Sequence, residues 1–419
     1  MEIYTDVGGR PGLDCGGFCQ FCFYKNVDFN RLRSLKIGCA DCPPHQIGCE
    51  KCQALINRVE NDFKPLPRVF MDLENKLMQN SWDALNRNLK VVIGAGADIF
   101  YYPHLKELVS VIKASYLPLH LGYTSGKAIK DESFARELIS LGLDELSFSV
   151  FSTDPELRRK WMRDRNPEEA VKSLKLFCEN IEVNASVVVI PGVNDGKRLF
   201  QTGSDLEEWG VKTFVLRRFA NFKNQGLILN DDRPILEGIK PHTYEEFQEL
   251  VREVSDEFSF RVLAFPFYDP EKDFPFVILK EKNRGFLEEL PPVKREATVV
   301  TSKLSSPFLK RFFELVDESD LVNVIGVDKE IADLITHEDL ESIDLAEVRK
   351  NVVLPSGALV HDEQAQEIFS KDGVRRRIKR GPYVLTHPYY ESVDFNTEEL
   401  IEHELKSFKA LIDKVNLPI

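Results

Sequence analysis

Seven of the eight cysteines in this 419-residue sequence lie between Cys15 and Cys52. The first three, Cys15, Cys19 and Cys22, are spaced CxxxCxxC. Three thiolates on so short a loop can bind three irons of a [4Fe–4S] cluster and leave the fourth iron without a protein ligand. An open iron can chelate the amino and carboxylate groups of S-adenosylmethionine, so that one electron from the cluster cleaves the S–C5′ bond. The alternatives are a zinc knuckle and an electron-transfer cluster completed by a later cysteine.

A second group of cysteines forms two CxxC pairs, Cys39 with Cys42 and Cys49 with Cys52. Four thiolates on two tight turns make a closed tetrahedral site that suits Zn²⁺ or a rubredoxin-like iron. Such a site leaves no position for substrate, so we interpret it as a structural metal site in an insertion over residues 36–55. An auxiliary cluster at these four cysteines is the alternative.

The elements that must position these cysteines follow an α/β pattern. Short apolar runs typical of strands alternate with amphipathic helical stretches, which predicts a parallel sheet with ligands at the carboxyl ends of its strands. The composition changes at Pro291 and Pro292, so we predict a first domain over 1–290 and a small α/β domain over 297–419. In the first domain, a short N-terminal strand is predicted before the cysteine motif, and the predicted strands that follow the cysteines are 91–93, 119–123, 146–151, 183–190, 213–216 and 260–264. Those of the second are 298–301 and 321–327, with a helix over 329–335.

The CxxxCxxC spacing followed by repeated βα units resembles the radical SAM superfamily. The resemblance implies a partial (βα)6 barrel in which S-adenosylmethionine lies across the carboxyl ends of the strands. Phe21, directly before the third cysteine, matches the aromatic residue that the superfamily places against the adenine. Gly94 and Gly96 follow a predicted strand and match the glycine-rich motif that lets backbone approach the methionine amino group.

Other residues at the predicted strand ends match the same superfamily. Ser125 would face the methionine carboxylate or the cluster. Ser147 and Ser149 share one face of a strand because side chains alternate every two residues, and in the barrel this is a candidate cofactor face. The segment around Val189 and Pro191 matches the fifth-strand motif, whose backbone bends over the adenine.

Over essentially its whole length, the sequence resembles the methanogenesis marker radical SAM methyltransferases, which methylate carbon 5 of an arginine in the α subunit of methyl-coenzyme M reductase. The resemblance rests on the two joined cysteine motifs, the run from Tyr123 to Lys127 and the C-terminal extension. It implies a mononuclear iron in the four-cysteine site and a cobalamin held by residues 297–419 without a histidine ligand. A DxHxxG sequence, which supplies that ligand in common cobalamin domains, is absent from those residues. The family pattern also makes Tyr123 a ligand of the open iron when substrate is absent, and places Leu321 under the cobalt.

The arginine substrate that this resemblance implies explains the need for radical chemistry. Its Cδ–H is neither acidic nor nucleophilic, so a 5′-deoxyadenosyl radical abstracts the hydrogen before methylcobalamin delivers a methyl group. A low-potential electron donor is then a required partner. The guanidinium stays charged and needs a carboxylate, and both Asp98 and Asp154 follow predicted strands. Either aspartate can instead be a helix N-cap.

The composition excludes some classes of partner. The net charge of −13 argues against nucleic acid or an anionic membrane as a general partner. No apolar stretch approaches the ~20 residues that span a bilayer, and Glu2 and Asp6 stand where a signal peptide would be basic. We therefore expect a cytoplasmic protein. Three function classes stay open: the arginine methyltransferase, another radical SAM peptide-modifying maturase with an auxiliary metal site, and a non-catalytic Fe–S electron carrier.

Overall fold

The computed structural model describes residues 2–25, 62–79, 89–225, 233–266, 268–271, 276–382, 385 and 396–418. These residues divide into two units. The first unit contains the described residues up to Asn221 together with Pro234–Phe265, and the second contains the other described residues from Phe222 onward. Within these ranges, every helix is too short or too polar to cross a membrane.

A parallel sheet of seven strands forms the centre of the first unit. The strands lie side by side in chain order, and every neighbouring pair is parallel. Within the described residues the two edge strands do not pair with each other, so the sheet is open. The predicted α/β fold and parallel sheet are confirmed, with one strand more than a (βα)6 repeat. The strands are β1 (Glu2–Asp6), β2 (Lys90–Gly94), β3 (Leu119–Thr124), β4 (Glu145–Ser149), β5 (Glu182–Val189), β6 (Thr213–Arg218) and β7 (Arg261–Phe265).

Helices connect successive strands of the first unit and turn apolar faces towards the core. The helix that begins at Leu105 buries all four apolar residues at its i, i+3, i+4 and i+7 positions. Another helix begins with a capping box, in which Thr243 and Glu246 each accept the backbone N–H of the other. A π-helical turn over Arg158–Met162 directly follows a short α-helical turn. The helices are α1 (Leu66–Gln79), α2 (Leu105–Ala114), α3 (Ser133–Ser140), α4 (Pro155–Leu157), α5 (Pro167–Asn180), α6 (Lys197–Glu208) and α7 (Tyr244–Glu257).

The second unit is built on a parallel sheet of four strands, as the α/β pattern of its sequence predicts. The strands are β8 (Ala297–Ser302), β9 (Val322–Val327), β10 (Asn351–Leu354) and β11 (Arg377–Arg380), and their order is β11-β10-β8-β9. The strand order reverses between β8 and β10, which makes a topological switch point, where open α/β sheets bind ligands. Its helices are α8 (Ser306–Val316), α9 (His337–Glu341), α10 (Asp362–Ile368) and α11 (Thr397–Asn416).

The helix predicted over 329–335 is wrong. Only a short 3-10 turn forms there, over Ala332–Leu334, and the next α-helix begins at His337. Lys329 is buried, and its Nζ lies 3.3 Å from Asp339 Oδ2. Asp339 also completes the capping box of Thr336. The buried ion pair and the cap therefore shift the start of the helix, which a periodicity of apolar residues does not reveal.

The boundary between the two units differs from the boundary placed near residue 290. Phe276 and Ile278 belong to the apolar core of the second unit, where the Phe276 ring lies 5.1 Å from that of Phe408. The buried Glu404 carboxylate accepts the N–H groups of Val277 and Ile278 at 3.1 and 2.8 Å. The first unit accordingly ends at Phe265.

Candidate active site

The loop that carries the CxxxCxxC motif turns sharply after its first cysteine. A 3-10 turn over Leu13–Cys15 ends at Gly16, whose φ is 67°. A Cβ at Gly16 would also lie 2.1 Å from the Tyr101 hydroxyl oxygen, so glycine is required there for two reasons. The Gly17 N–H donates to the Gly12 carbonyl at 2.8 Å and closes the turn.

The π-helical turn holds this loop in place through its backbone carbonyls. The Gln20 N–H donates to the Trp161 carbonyl at 2.8 Å, and the Gln20 amide donates to the Lys160 carbonyl at 2.6 Å. Lys127 Nζ connects the two segments, because it donates to the Gly17 carbonyl at 2.6 Å and to the Met162 carbonyl at 3.2 Å. π-Helices are rare and frequently occur at functional sites.

The three thiols of the loop are half-buried, and their raised pKa values keep them protonated at neutral pH in the absence of metal. Burial raises the pKa of the Cys15 thiol to about 11, and the charge of Asp98 adds to the effect. Burial raises the pKa of the Cys22 thiol to about 12 and also raises the pKa of Cys19. The backbone of Gly12, the charge of Lys127 and the backbone of Asp98 act in the opposite direction and favour the thiolate of Cys15, but they do not outweigh burial. Metal binding must therefore release protons from these thiols.

Each of the three cysteines of the loop is available to bind a metal. Cys15, Cys19 and Cys22 are all free thiols on one loop. Among the residues that the structure describes, no three His, Cys, Asp or Glu side chains surround one point as the ligands of a single metal ion do. In a [4Fe–4S] cluster each thiolate binds a different iron, so its ligands stand further apart than those of one zinc ion.

The buried carboxylate of Asp98, which follows β2, is hydrogen-bonded to the end of β3. Its Oδ1 accepts the Phe100 N–H at 3.0 Å and the Thr124 hydroxyl at 2.7 Å. Its Oδ2 accepts the Ser125 N–H at 2.8 Å and also the Ser125 hydroxyl. A carboxylate has about four acceptor sites, and these four bonds occupy them. Asp98 therefore has the N-cap role that the sequence left open, and Ser125 bonds to Asp98.

Asp154 is also a helix N-cap. It lies directly before Pro155, and its Oδ1 accepts the Glu156 N–H at 2.8 Å. Both aspartates that we considered for a guanidinium thus stabilise the starts of short helices.

Tyr123 lies at the carboxyl end of β3 and contacts a residue that the sequence analysis did not single out. The Arg217 guanidinium carbon is 4.8 Å from the centroid of the Tyr123 ring, and Arg217 Nη2 donates to the Tyr123 hydroxyl. Arg217 Nε donates to the Ser186 hydroxyl at 2.9 Å, and the Phe265 ring centroid is 5.5 Å from its guanidinium carbon. Within the described residues no carboxylate forms an ion pair with Arg217.

Residues 11–199 match the family model described as Radical SAM superfamily. The first unit therefore contains a radical SAM domain. The match includes the three cysteines of the loop, Lys127 and the π-helical turn, and it covers a little under half of the chain. No curated protein matches the sequence.

Several solved structures are similar to the chain at low sequence identity. SuiB from Streptococcus suis is 13% identical, with 63% of this chain and 49% of SuiB covered and a TM-score of 0.41. A radical SAM methyltransferase from Sphaerobacter thermophilus is 11% identical, with 62% and 64% covered and a TM-score of 0.36. This chain spans about half the length of the SuiB chain.

Phe21 and the two predicted glycines lie in the radical SAM domain. The Phe21 ring stacks on Phe151 with 4.8 Å between centroids and 12° between planes. Gly94 ends β2, and a Cβ there would lie 2.0 Å from the Tyr4 hydroxyl oxygen. The Gly96 N–H donates to the carbonyl of Gly8 at 2.9 Å. The role of these three residues at a cofactor stays a prediction.

The two predicted serines lie on β4, and the fifth-strand motif lies at the end of β5. Ser147 and Ser149 are on β4, and Ser149 stands opposite Ser186 of β5. Ser147 is buried, and its hydroxyl is 2.8 Å from His120 Nε2. Val189 ends β5, and Pro191 begins the turn that follows.

Asn194 holds this turn, although the sequence analysis assigned it no role. Its Oδ1 accepts the Ile190 N–H at 2.8 Å, and its Nδ2 donates to the Phe151 carbonyl at 2.9 Å. The side chain is almost fully buried and connects the segments that follow β4 and β5. The sequence signal for this role is an asparagine in a strand-to-helix turn, where its side chain commonly hydrogen-bonds to the backbone.

Arg158 and Asp164 form a fully buried ion pair that sequence reasoning missed. Arg158 Nη2 and Nε lie 2.7 and 3.1 Å from Asp164 Oδ2, and both side chains have 0% exposure. Arg158 also donates to the carbonyls of Val150 and Ser125 at 2.6 Å each. One side chain therefore fixes the π-helical turn to the ends of β3 and β4. Arg158 lies in a polar segment after a strand, and nothing in its neighbouring residues indicates that its side chain is buried.

The remaining predicted metal and cobalamin residues are either outside the described ranges or away from the carboxyl ends of strands. Cys39, Cys42, Cys49 and Cys52 lie outside the described residues. Leu321 directly precedes β9, at the amino end of that strand, and its carbonyl accepts the Ala297 N–H at 3.0 Å. The mononuclear iron, the cobalamin and the place of Leu321 under cobalt stay predictions.

Proposed function

We propose that this protein is a cobalamin-dependent radical SAM methyltransferase that methylates carbon 5 of an arginine in the α subunit of methyl-coenzyme M reductase. The observation that carries the radical part is the cysteine loop of the radical SAM domain. Three half-buried thiols lie there on a loop that Lys127 and the π-helical turn hold in place. The assignments of arginine as substrate and cobalamin as cofactor are supported by the resemblance of the two cysteine motifs and the C-terminal extension to the methanogenesis marker methyltransferases.

Different residues of the first unit would bind the cluster, position the cysteine loop and bind S-adenosylmethionine. Cys15, Cys19 and Cys22 would hold a [4Fe–4S] cluster, which when bound would supply the electron that splits S-adenosylmethionine into methionine and a 5′-deoxyadenosyl radical. The Asp98 side chain accepts the Thr124 hydroxyl and so holds the end of β3. Arg217 presents N–H groups at the carboxyl end of β6, where they would pair with a carboxylate. Such fixed positioning is the protein's main contribution to radical chemistry.

The second unit is the part of the chain to which we assign the cobalamin. Its sheet has a switch point between β8 and β10, and open α/β sheets bind ligands at the carboxyl ends of the strands there. Leu321 lies at the opposite, amino end of β9, so the switch point supports the cobalamin assignment but not the place of Leu321 under the cobalt. Absence of a DxHxxG sequence fits a cobalt without a histidine ligand. A low-potential electron donor and the substrate peptide are the partners that this reaction requires.

The direct test is an anaerobic assay of the full chain, loaded with iron, sulfide and cobalamin. The substrate is a peptide from the α subunit that contains the target arginine, and the same peptide with lysine at that position is the control. With reductant and S-adenosylmethionine, we expect 5′-deoxyadenosine and an arginine peptide heavier by one methylene group in mass spectra. The lysine peptide should stay unmodified.

Each other outcome contradicts a defined part of the proposal. Methylation by protein without cobalamin would exclude the assigned cofactor. A different modification of the peptide would indicate another radical SAM maturase. If S-adenosylmethionine is not cleaved under reducing conditions, the protein is an electron carrier and the whole proposal is wrong.

A further inference from the structure

Lys127 is a buried positive charge beside the cysteine loop. Its side chain is 6% exposed, and its Nζ lies 3.8 Å from Cys19 Sγ. The other two acceptors of the ammonium are the carbonyls of Gly17 and Met162. An ammonium has three donors, so the thiol sulfur takes the third.

No described carboxylate neutralises this charge. Lys329, which is also buried, pairs with Asp339, whereas Lys127 forms no ion pair with any carboxylate of the described residues. A buried ammonium costs several kcal/mol unless an opposite charge accompanies it. The two carbonyl acceptors are neutral and supply no such charge. A thiolate at Cys19 would supply it.

We infer that Lys127 is a positioning residue whose ammonium is the counter-charge of the cluster and raises its reduction potential. This inference rests on the cluster of the proposed function. Reduction adds a negative charge to the cluster, so a nearby cation and an N–H···S hydrogen bond stabilise the reduced state more than the oxidised state. Lys127 thereby makes the cluster easier for the external electron donor to reduce.

The test compares Lys127→Met, Lys127→Arg and wild type as full chains reconstituted with iron and sulfide. Methionine keeps the length of the side chain and removes the charge, whereas arginine keeps the charge. Lys130→Met is the matched control, because Lys130 is exposed in the same loop. The readouts are iron content and the midpoint potential from a redox titration followed by electron paramagnetic resonance.

We expect Lys127→Met to lower the ratio of reduced to oxidised cluster about tenfold at a fixed potential, which is about 59 mV for one electron. Lys127→Arg and Lys130→Met should stay close to wild type. An unchanged midpoint potential in a fully loaded Lys127→Met protein would overturn the inference. A wild-type chain that binds no cluster would instead contradict the proposed function.

A second measurement keeps the inference testable if Lys127→Met does not load with iron. Without metal, the ammonium lacks its counter-charge, so removing it should not destabilise the protein. We expect the metal-free variant to unfold at a temperature no lower than metal-free wild type. A clearly lower unfolding temperature would show that Lys127 is only a structural link between the loop and the π-helical turn.

Discussion

The guanidinium of Arg217 lies over the ring of Tyr123, 4.8 Å from its centroid, although two strands separate β6 from β3 in the sheet. Neighbouring strands are ~4.8 Å apart, so a flat sheet would hold β3 and β6 about 14 Å apart. Side chains rise roughly perpendicular to a sheet, and these two can stack only if the sheet curves towards them. The contact therefore shows a concave face at the carboxyl ends of the strands, as in a partial barrel.

Replacement of Arg217 by glutamine should weaken binding of S-adenosylmethionine about 10- to 100-fold, because a charge-assisted hydrogen bond contributes roughly 1.5–3 kcal/mol. Isothermal titration calorimetry of the loaded protein measures the affinity. Decarboxylated S-adenosylmethionine is the matched ligand, and its affinity should hardly change. Equal weakening for both ligands would show that Arg217 does not pair with the carboxylate.

Combined replacement of Cys15, Cys19 and Cys22 by alanine should abolish iron binding in the loop and all cleavage of S-adenosylmethionine, since no other described side chains replace the ligands. Cys178→Ala is the control, because this buried cysteine lies on α5 and should keep full cleavage. The yield of 5′-deoxyadenosine under reduction is the measurement. Cleavage retained by the triple variant would refute the assignment of these thiols.

Asp164→Asn should cost about 3–5 kcal/mol of unfolding free energy, because it leaves the fully buried Arg158 without its counter-charge. Glu168→Gln removes a partner of the exposed Arg159 and should change the stability little. Denaturant titration of the metal-free proteins gives both values. Similar losses in the two variants would mean that burial of the ion pair is unimportant.

Glu145 should make stability depend on acid pH. Burial alone would raise the pKa of this carboxyl, but His120, Lys90 and Asn184 outweigh burial and lower it. Because the folded pKa is below the unfolded value of about 4.3, the ionised group stabilises the protein above that pH. This stabilisation is lost as the pH falls through the folded pKa.

Glu145→Gln tests this dependence in the metal-free protein. Lys90 Nζ lies 2.6 Å from Glu145 Oε2, and the Asn184 amide donates to Oε1 at 2.6 Å. We expect a loss of about 2 kcal/mol at pH 7, the size of a hydrogen bond to a charged group. The difference from wild type should shrink between pH 5 and pH 3. A difference that stays constant over this range would contradict the assignment to Glu145.

A chain that ends at Phe265 should be more soluble than one that ends at Leu290. The longer chain retains Phe276 and Ile278 without Phe312 and Phe408, against which they pack. Exposed apolar residues of this kind promote aggregation. Size-exclusion chromatography of the two chains measures the effect. Neither chain should bind cobalamin, and binding by either would move the cobalamin site into the first unit.

The local features of the fold could be predicted because they depend on neighbouring residues. The alternation of apolar runs and amphipathic helices anticipates six of the seven strands in the longer sheet, and the seventh is the short N-terminal strand predicted before the cysteine motif. The helix predicted over 329–335 does not form, because Lys329 is buried in a tertiary ion pair with Asp339. The boundary near residue 290 differed because Phe276 packs on a helix far along the chain.

The sequence by itself determined the cysteine loop and its chemistry, because CxxxCxxC places three thiols within one turn whatever surrounds them. Only the tertiary structure decided which residues support that loop. Lys127 and Cys19 are 108 positions apart, and Arg217 and Tyr123 are 94 apart. Contacts at such separations depend on how strands pair and how far the sheet curves, and no local spacing of residues encodes either.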